Sequence, residues 1–388
     1  MSVLQDSGSY WLGKIPENWQ MLPAWALFSE GKEKCLSDDP HLVPSRVYGV
    51  VTRDMLTELS GNKPVDNEAS AHHMKHVEPH DFVISMGSHE SGIEHSRLVG
   101  KVSNDYRVLR PASGVNPEYY KWFFKSEPLI EGLRGLTTEI RVGQRIHYSR
   151  FSLLRLPLPS AEDQQRIADY LDRETAEIDA AVADLDKYVE LLNVKLESAS
   201  REVFTELSAN HPLIQTKFLV DITTGSGDTQ DSQENGSFPF YVRSDTIQRA
   251  EDFEFDCEAV LTSGDGAGVG KIFHLAGGKF KAHQRVYVMH NFKRVSPQYF
   301  YWMFKSAFPD AIRYGGAKST VDSVRRPMIA NLKIPVPDHD AQEKASKRIE
   351  KLHHEVSALI AKSTKLRDLL LKRRSVLITE VVTGRKQI

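Results

Sequence analysis

Cysteine is almost missing from this chain. Its 388 residues hold two, Cys35 and Cys257, far apart in sequence. Two distant thiols cannot frame a disulfide scaffold, and no apolar signal segment is present, so the expected compartment is the reducing cytoplasm. No run of about 18 uncharged apolar residues occurs, and so no membrane-spanning helix is expected. Net charge is small, −2, and by itself argues neither for nor against a nucleic-acid partner. What is present suffices for packed cores: 40% of residues are apolar, and the length points to two or more domains.

Intact catalytic signatures are also lacking. Gly264-Asp-Gly-Ala-Gly-Val-Gly-Lys271 is glycine-rich and ends Gly-Lys. A phosphate loop needs Gly where Asp265 stands and Ser or Thr where Ile272 stands, and a dinucleotide fingerprint needs Gly at Val269. The stretch is left as a strand turn or as a backbone loop that lies close to a ligand or a DNA backbone. Asn116-Pro-Glu-Tyr119 faintly resembles an amino-methyltransferase loop, but Glu118 takes its required proline, and the stretch reads as a helix start. His72, His73, His76 and His80 have no cysteine or carboxylate at a standard ligand spacing, so no metal site is expected. The chain is expected to be non-catalytic.

Two long heptad segments dominate what remains. The first carries Leu171, Ile178, Val182, Leu185, Val189, Leu192 and Leu196, with Thr175 filling one place. The second carries Leu352, Val356, Leu359, Leu366, Leu370 and Leu377. Steps of three and four make the seam of a helix that needs a partner helix. Residues 161–210 hold five Lys+Arg against thirteen Asp+Glu, whereas residues 338–388 hold twelve against seven. Opposite charge favours pairing of these two segments with each other, as an intramolecular antiparallel pair. About 45 residues of helix span ~65–70 Å. Ser160 with Asp163, and Asp338, supply the N-caps, and Pro157 and Pro159 stop helix from forming across the junction.

The globular segments before these helices repeat one plan. YYKWFFKS at Tyr119–Ser126 matches YFYWMFKS at Tyr299–Ser306, and Leu156-Pro-Leu-Pro159 matches Ile334-Pro-Val-Pro337. A period of about 180 residues is a whole-domain duplication. Strands are expected at Val47–Val51, Asp81–Gly87, Lys101–Arg110, Tyr241–Val242, Glu258–Gly264 and Arg285–Met289. Trp11, Ile15, Pro16, Trp19 and Trp25 read as an ordered apolar arm. The fold class is α+β: two duplicated globules separated by two long antiparallel helices. The expected divisions are 1–155, 156–210, 211–333 and 334–388.

Basic residues recur ahead of each helix. Arg134, Arg141, Arg145, Arg150 and Arg155 precede the first; Arg313, Lys318, Arg325, Arg326 and Lys333 precede the second. Arginine forks among small hydroxyl residues suit phosphate contacts and base-edge reading. Arg134, Arg141, Arg145, Arg150, Lys271, Arg313, Lys318, Arg325 and Arg326 are therefore the candidate DNA-binding residues, and Lys279, Lys281 and Arg285 are possible additions.

With WLGKIPENW at Trp11–Trp19, LPLPSAEDQQRIADYLD at Leu156–Asp172, IPVPDHDAQEK at Ile334–Lys344 and ITEVVTGRKQ at Ile378–Gln387, the chain resembles the DNA-specificity subunit of a Type I restriction-modification enzyme. Gln164-Gln165 stands where that family usually has Glu-Gln, and Gln342-Glu343 reverses the pair. The resemblance implies two target-recognition domains, each reading half of a bipartite, asymmetric site on double-stranded DNA. It implies that the paired helices are both spacer and dock for two modification (methyltransferase) subunits, which bind S-adenosylmethionine and methylate adenine. Restriction motor-nuclease subunits using ATP and Mg would join for cleavage, and this chain itself would hold no cofactor. The alternatives are a non-catalytic coiled-coil scaffold with two modules for protein or RNA partners, and a self-contained methyltransferase, which lacks its cofactor and catalytic loops.

Overall fold

The computed structural model describes residues 3–61, 74–85, 93–136, 148–314 and 323–388. The chain divides into two units, Met1–Asp184 with Leu366–Ile388, and Leu185–Lys365. Each unit is built on a four-stranded antiparallel sheet with the same strand order. In the first unit the strands lie in the order Phe28–Gly31, Tyr106–Pro111, Phe82–Ser85, Ile93–His95. In the second they are Asp221–Thr224, Val286–His290, Ala259–Ser263, Phe273–Ala276. The central pairing is equivalent as well: Val108 faces Val83 and Val288 faces Leu261. The duplication read from short sequence matches is therefore a duplication of sheet topology.

The helix after each sheet starts as its sequence dictates. Pro117 occupies the first turn of Pro117–Phe123, where its missing N–H costs nothing, and the Asn116 side chain accepts from the Glu118 N–H at 2.9 Å. Ser296 caps Pro297–Tyr314 in the same manner, its Oγ accepting from the Tyr299 N–H at 3.2 Å. Tyr119, Tyr120, Phe123 and Phe124 are fully buried against the sheet, with Tyr120 edge-on to Phe28 at 5.0 Å. The second copy stacks Phe300, Phe304 and Phe308. The copies then diverge. Pro128 opens a new helix, Glu127–Arg134, in the first, while the second continues as one helix through Pro309.

Several expectations are corrected. Lys101–Arg110 is not one strand: a turn closed by the Tyr106 N–H on Ser103 O divides Gly100–Val102 from Tyr106–Pro111, and the two pieces join different sheets. Val47–Val51 resolves into a hairpin of Leu42–Ser45 and Gly49–Thr52. The aromatic arm packs through Trp11, Ile15, Pro16 and Trp19, but Trp25 is 61% exposed. A second four-stranded sheet, in the order Gln248–Ala250, Phe238–Tyr241, Lys279–Ala282, Phe255–Asp256, is present in the second unit.

The first long helix is continuous over Ala161–Asn210, 50 residues. The second spans His339–Val382, 44 residues. Ser160 Oγ accepts from the Asp163 N–H at 3.1 Å, and Asp338 Oδ1 from the Ala341 N–H at 2.8 Å. Within the first unit the two helices run antiparallel: Arg374 forks onto Asp179, and further along the chain Lys386 reaches back to Tyr170. In the second unit Arg348 pairs with Glu206 at 3.1 Å. These are the acid–base contacts that the charge split favours. Of the seam residues, Leu171, Ile178, Leu192, Val356 and Leu377 are buried. Val182, Leu185, Val189, Leu196, Leu352 and Leu370 are half-buried, whereas Leu359 and Leu366 are 41% and 49% exposed. Among the described residues no helix is long and apolar enough to cross a membrane.

Candidate nucleic-acid interface

In the second unit the glycine-rich loop is the organising feature. Strand Ala259–Ser263 ends at Gly264, whose backbone lies against the chain so closely that a Cβ there would stand 2.8 Å from the Arg285 carbonyl oxygen. Gly266 and Gly270 adopt φ of +74° and +68°, open to glycine at little cost. The tight turn places the Asp265 carboxylate between two arginines. Oδ1 accepts from Arg243 Nη1 at 2.8 Å and Oδ2 from Arg285 Nη1 at 2.6 Å. Burial pushes the Asp265 carboxyl up, but the hydrogen bonds and charges of Arg243 and Arg285 outweigh it and hold the group below the usual carboxylate range. Both arginine side chains remain partly exposed to solvent, at 41% and 58%.

The second basic segment is brought to the same loop. Asp265 bridges to Ser323, the Val324 N–H donates to Gly264 O at 2.8 Å, and Tyr287 Oη donates to Val324 O. Arg325 and Arg326 follow directly and are exposed, as is Lys271 at the loop's exit. Beside the loop opens a cleft of about 410 Å³ lined by Arg243, Ser244, Gln248, Asp265, Gly268 and His283. The Gln248 Oε1 facing inward has no hydrogen-bond partner among the described residues. His283 Nδ1 accepts from the Arg285 N–H, and burial, with Arg243 next, lowers its pKa, so the ring is held neutral. Fixed arginine forks beside an amide, a hydroxyl and a neutral imidazole are the side chains that read base edges and phosphates.

The other expected residues divide. Arg313 is exposed in the last turn of Pro297–Tyr314. Arg134 closes Glu127–Arg134 and pairs with Glu131, and Arg150 reaches the Leu136 carbonyl at 3.4 Å. Arg141, Arg145 and Lys318 lie outside the described residues. Lys281 is not a surface contact: it is buried and held by Asp252 at 2.8 Å and Asp231 at 3.1 Å. Lys279 sits over the Phe253 ring. Sequence reading missed Arg243 and the role of Asp265, because their partnership joins positions 22 residues apart across two sheets.

The first unit has its own basic cleft, about 600 Å³, lined among others by Arg46, Arg97, Lys121, Trp122, Lys125 and Arg374. Lys125 is fixed by the nearly buried Glu94, at 2.5 and 2.6 Å. Burial raises the Glu94 pKa, with Lys125 opposing.

The junctions that hold the globules on their helices are built alike. Gln164 Oε1 accepts from the Asn116 N–H at 2.7 Å, and its amide donates to Gly114 O and Pro159 O. Gln342 Oε1 accepts from the Ser296 N–H at 3.0 Å, and its amide donates to Arg294 O and Pro337 O. Gln342 is thus the counterpart of Gln164, and Glu343 of Gln165.

Comparison with known proteins places these features. Residues 217–366 match the family described as Type I restriction modification DNA specificity domain. The Type I restriction enzyme EcoDI specificity subunit of Escherichia coli is 24% identical over 166 residues, 43% of this chain and 36% of that protein. The StySPI specificity subunit of Salmonella potsdam is 28% identical over 149 residues, 36% of this chain and 32% of that protein. The matched stretches thus span about a third of each relative. A chain solved in a study of complex assembly and conformational transition of the type I R-M system superposes with a TM-score of 0.74 at 13% identity, covering 96% of this chain and 99% of that one. The HsdS subunit of Thermoanaerobacter tengcongensis gives 0.53 at 12% identity, covering 98% and 99%. At such identities these two likenesses concern the fold.

Proposed function

We propose that the chain is the non-catalytic DNA-reading subunit of a Type I restriction-modification enzyme, each globule (1–155 and 211–333) reading one half of a bipartite, asymmetric target; its match to the specificity-domain family over residues 217–366 and its likeness to two specificity subunits support the reading. The observation that carries the reading is the gathering of Arg243, Arg285, Lys271, Arg325 and Arg326 around the Gly264–Gly270 loop. Cations on phosphates supply affinity, and the oriented Arg243, Ser244 and Gln248 supply base discrimination. Arg134, Arg150 and Arg313 join these contacts, together with Arg141, Arg145 and Lys318. The two long helices (156–210 and 334–388) act as the spacer between half-site readers and as the dock for two modification subunits. Those partners bring S-adenosylmethionine, and the restriction subunits bring ATP and Mg. The two globules differ in most loop residues, so the half-sites differ.

The test is selection of bound duplexes from a randomised pool by the purified chain, alone and with its modification subunits. Two conserved blocks separated by a fixed gap are expected, with binding that weakens steeply as salt rises. A pool that remains random, or preference for RNA over duplex DNA, would sink the reading. Methyl transfer by the isolated chain would instead favour a self-contained enzyme.

A further inference from the structure

His80, His95 and Glu118 are far apart in sequence and come from three elements of the first unit: the turn before strand Phe82–Ser85, the strand Ile93–His95, and the first turn of helix Pro117–Phe123. Their ligand-type atoms lie within 4.8 Å of one another. We propose that these three side chains form a binding site for a single divalent transition ion of the zinc class, with the fourth coordination position open to water.

The geometry carries the proposal. His80 Nδ1 and His95 Nε2 are 3.3 Å apart, and His80 Nδ1 is 3.9 Å from Glu118 Oε1. A tetrahedral zinc with ligands at about 2.0–2.1 Å separates neighbouring ligand atoms by about 3.3–3.4 Å. The His–His edge already has that length, and a rotation of the Glu118 carboxylate shortens its two edges to the histidines, one 3.9 Å and the other within 4.8 Å. Two imidazoles and one carboxylate also form a donor set that favours zinc over magnesium or calcium.

Each ligand is held by contacts of its own. His80 sits at φ +74°, and its backbone N–H donates to Ser96 O at 2.7 Å, which turns the ring toward His95. The two rings stack at 5.4 Å, and the His95 ring also packs on the Phe82 ring at 5.1 Å. Glu118 Oε2 is taken by Lys121 at 2.6 Å and Arg97 at 3.3 Å, which leaves Oε1 facing the histidines. Outer contacts of this kind orient a metal ligand. The Lys121 charge is shared with Asp172, 2.8 Å away, which moderates its repulsion of a bound cation. His80 is 57% exposed at its side chain, which gives an ion access and leaves room for a water ligand.

The role is structural: the ion fastens the turn and the strand edge to the start of the helix, beside the basic cleft that His95, Arg97 and Lys121 line. The inference stands apart from the DNA-reading proposal, since it needs neither DNA nor partner subunits. The experiment is calorimetric titration of zinc chloride into the full chain, with cobalt substitution read by visible absorption. One zinc per chain is expected, with tetrahedral cobalt bands and a rise in Tm. His80→Asn tolerates the positive φ and Glu118→Gln keeps the shape; each should weaken zinc binding at least about 10-fold while circular dichroism stays unchanged. No zinc uptake by the wild-type chain, or uptake that survives undiminished in both variants, overturns the proposal.

Discussion

The buried side chain of Gln164 receives the backbone N–H of Asn116 at 2.7 Å and so ties the start of the first long helix to the cap of another helix 48 residues earlier. Its amide cannot be replaced by a carboxylate without turning a donor to Pro159 O and Gly114 O into a second acceptor. Gln164→Leu should cost about 2–4 kcal/mol, because three backbone groups lose their partner in a buried place. Gln164→Glu should be destabilised most at neutral pH and recover as pH falls, since only the protonated acid can donate to the carbonyls. Gln342→Glu should behave alike in the second unit. Urea denaturation across pH checks both; a Glu variant as stable as the wild type at neutral pH would show that the bonds are dispensable.

Asp265 separates orientation from charge at the candidate interface. It fixes Arg243 and Arg285, yet its own charge opposes a phosphate backbone. Asp265→Ala should therefore strengthen binding to arbitrary duplex while reducing discrimination between target and scrambled sequence by roughly 10-fold or more. Arg325→Ala with Arg326→Ala should do the opposite, weakening both duplexes similarly and lowering the slope of log affinity on log salt by about one per lost phosphate contact. Fluorescence anisotropy at several salt concentrations distinguishes the two patterns. Equal effects of both changes on target and scrambled DNA would remove Asp265 from any role in reading.

The features readable from sequence were those carried by period or punctuation. The heptad steps from Leu171 to Leu196 and the Pro157–Pro159 boundary need no tertiary knowledge, and the helices begin where Ser160 and Asp338 cap them. Pairing between distant strands leaves no such local trace. Phe240 lies parallel to Lys281, 41 positions later, so the second sheet of the second unit was invisible, and with it the burial of Lys281. His80 read as a member of a polar loop because its neighbours, His95 and Glu118, are brought in by a strand and a helix. Trp25, expected in the apolar arm, is instead exposed, since its short helix Ala24–Leu27 buries Ala24 and Leu27.

The seam of the long helices is unequal along its length, and its energetics should follow burial rather than heptad position. Leu171 is fully buried in the core that includes Ile178, Leu377 and Val381, whereas Leu359 is 41% exposed. Leu171→Ala should cost about 2–5 kcal/mol, the usual range for a cavity in a packed core. Leu359→Ala should cost under about 1 kcal/mol. Chemical denaturation of the full chain measures both. Comparable losses at the two sites would mean that Leu359 is covered in solution, by a docked partner helix or a second copy.

His76 gives the first unit a pH dependence of predictable sign. Its buried ring is bracketed by carboxylates, with Nδ1 at 2.7 Å from Asp39 and Nε2 at 2.9 Å from Glu78. The hydrogen bond to Asp39 is the largest influence on its pKa; burial opposes it, but that bond, aided by Glu78, raises the pKa above 6.5. A group whose folded pKa is raised stabilises fully below its unfolded value and loses that contribution as pH climbs through the folded one. His76→Gln should therefore be most destabilised, relative to wild type, at about pH 6, and the gap should narrow by about pH 9. Denaturation curves of both proteins across that interval give the gap directly. A gap independent of pH would mean that the imidazole is held neutral and acts through packing and a single hydrogen bond, with the second carboxylate left to solvent.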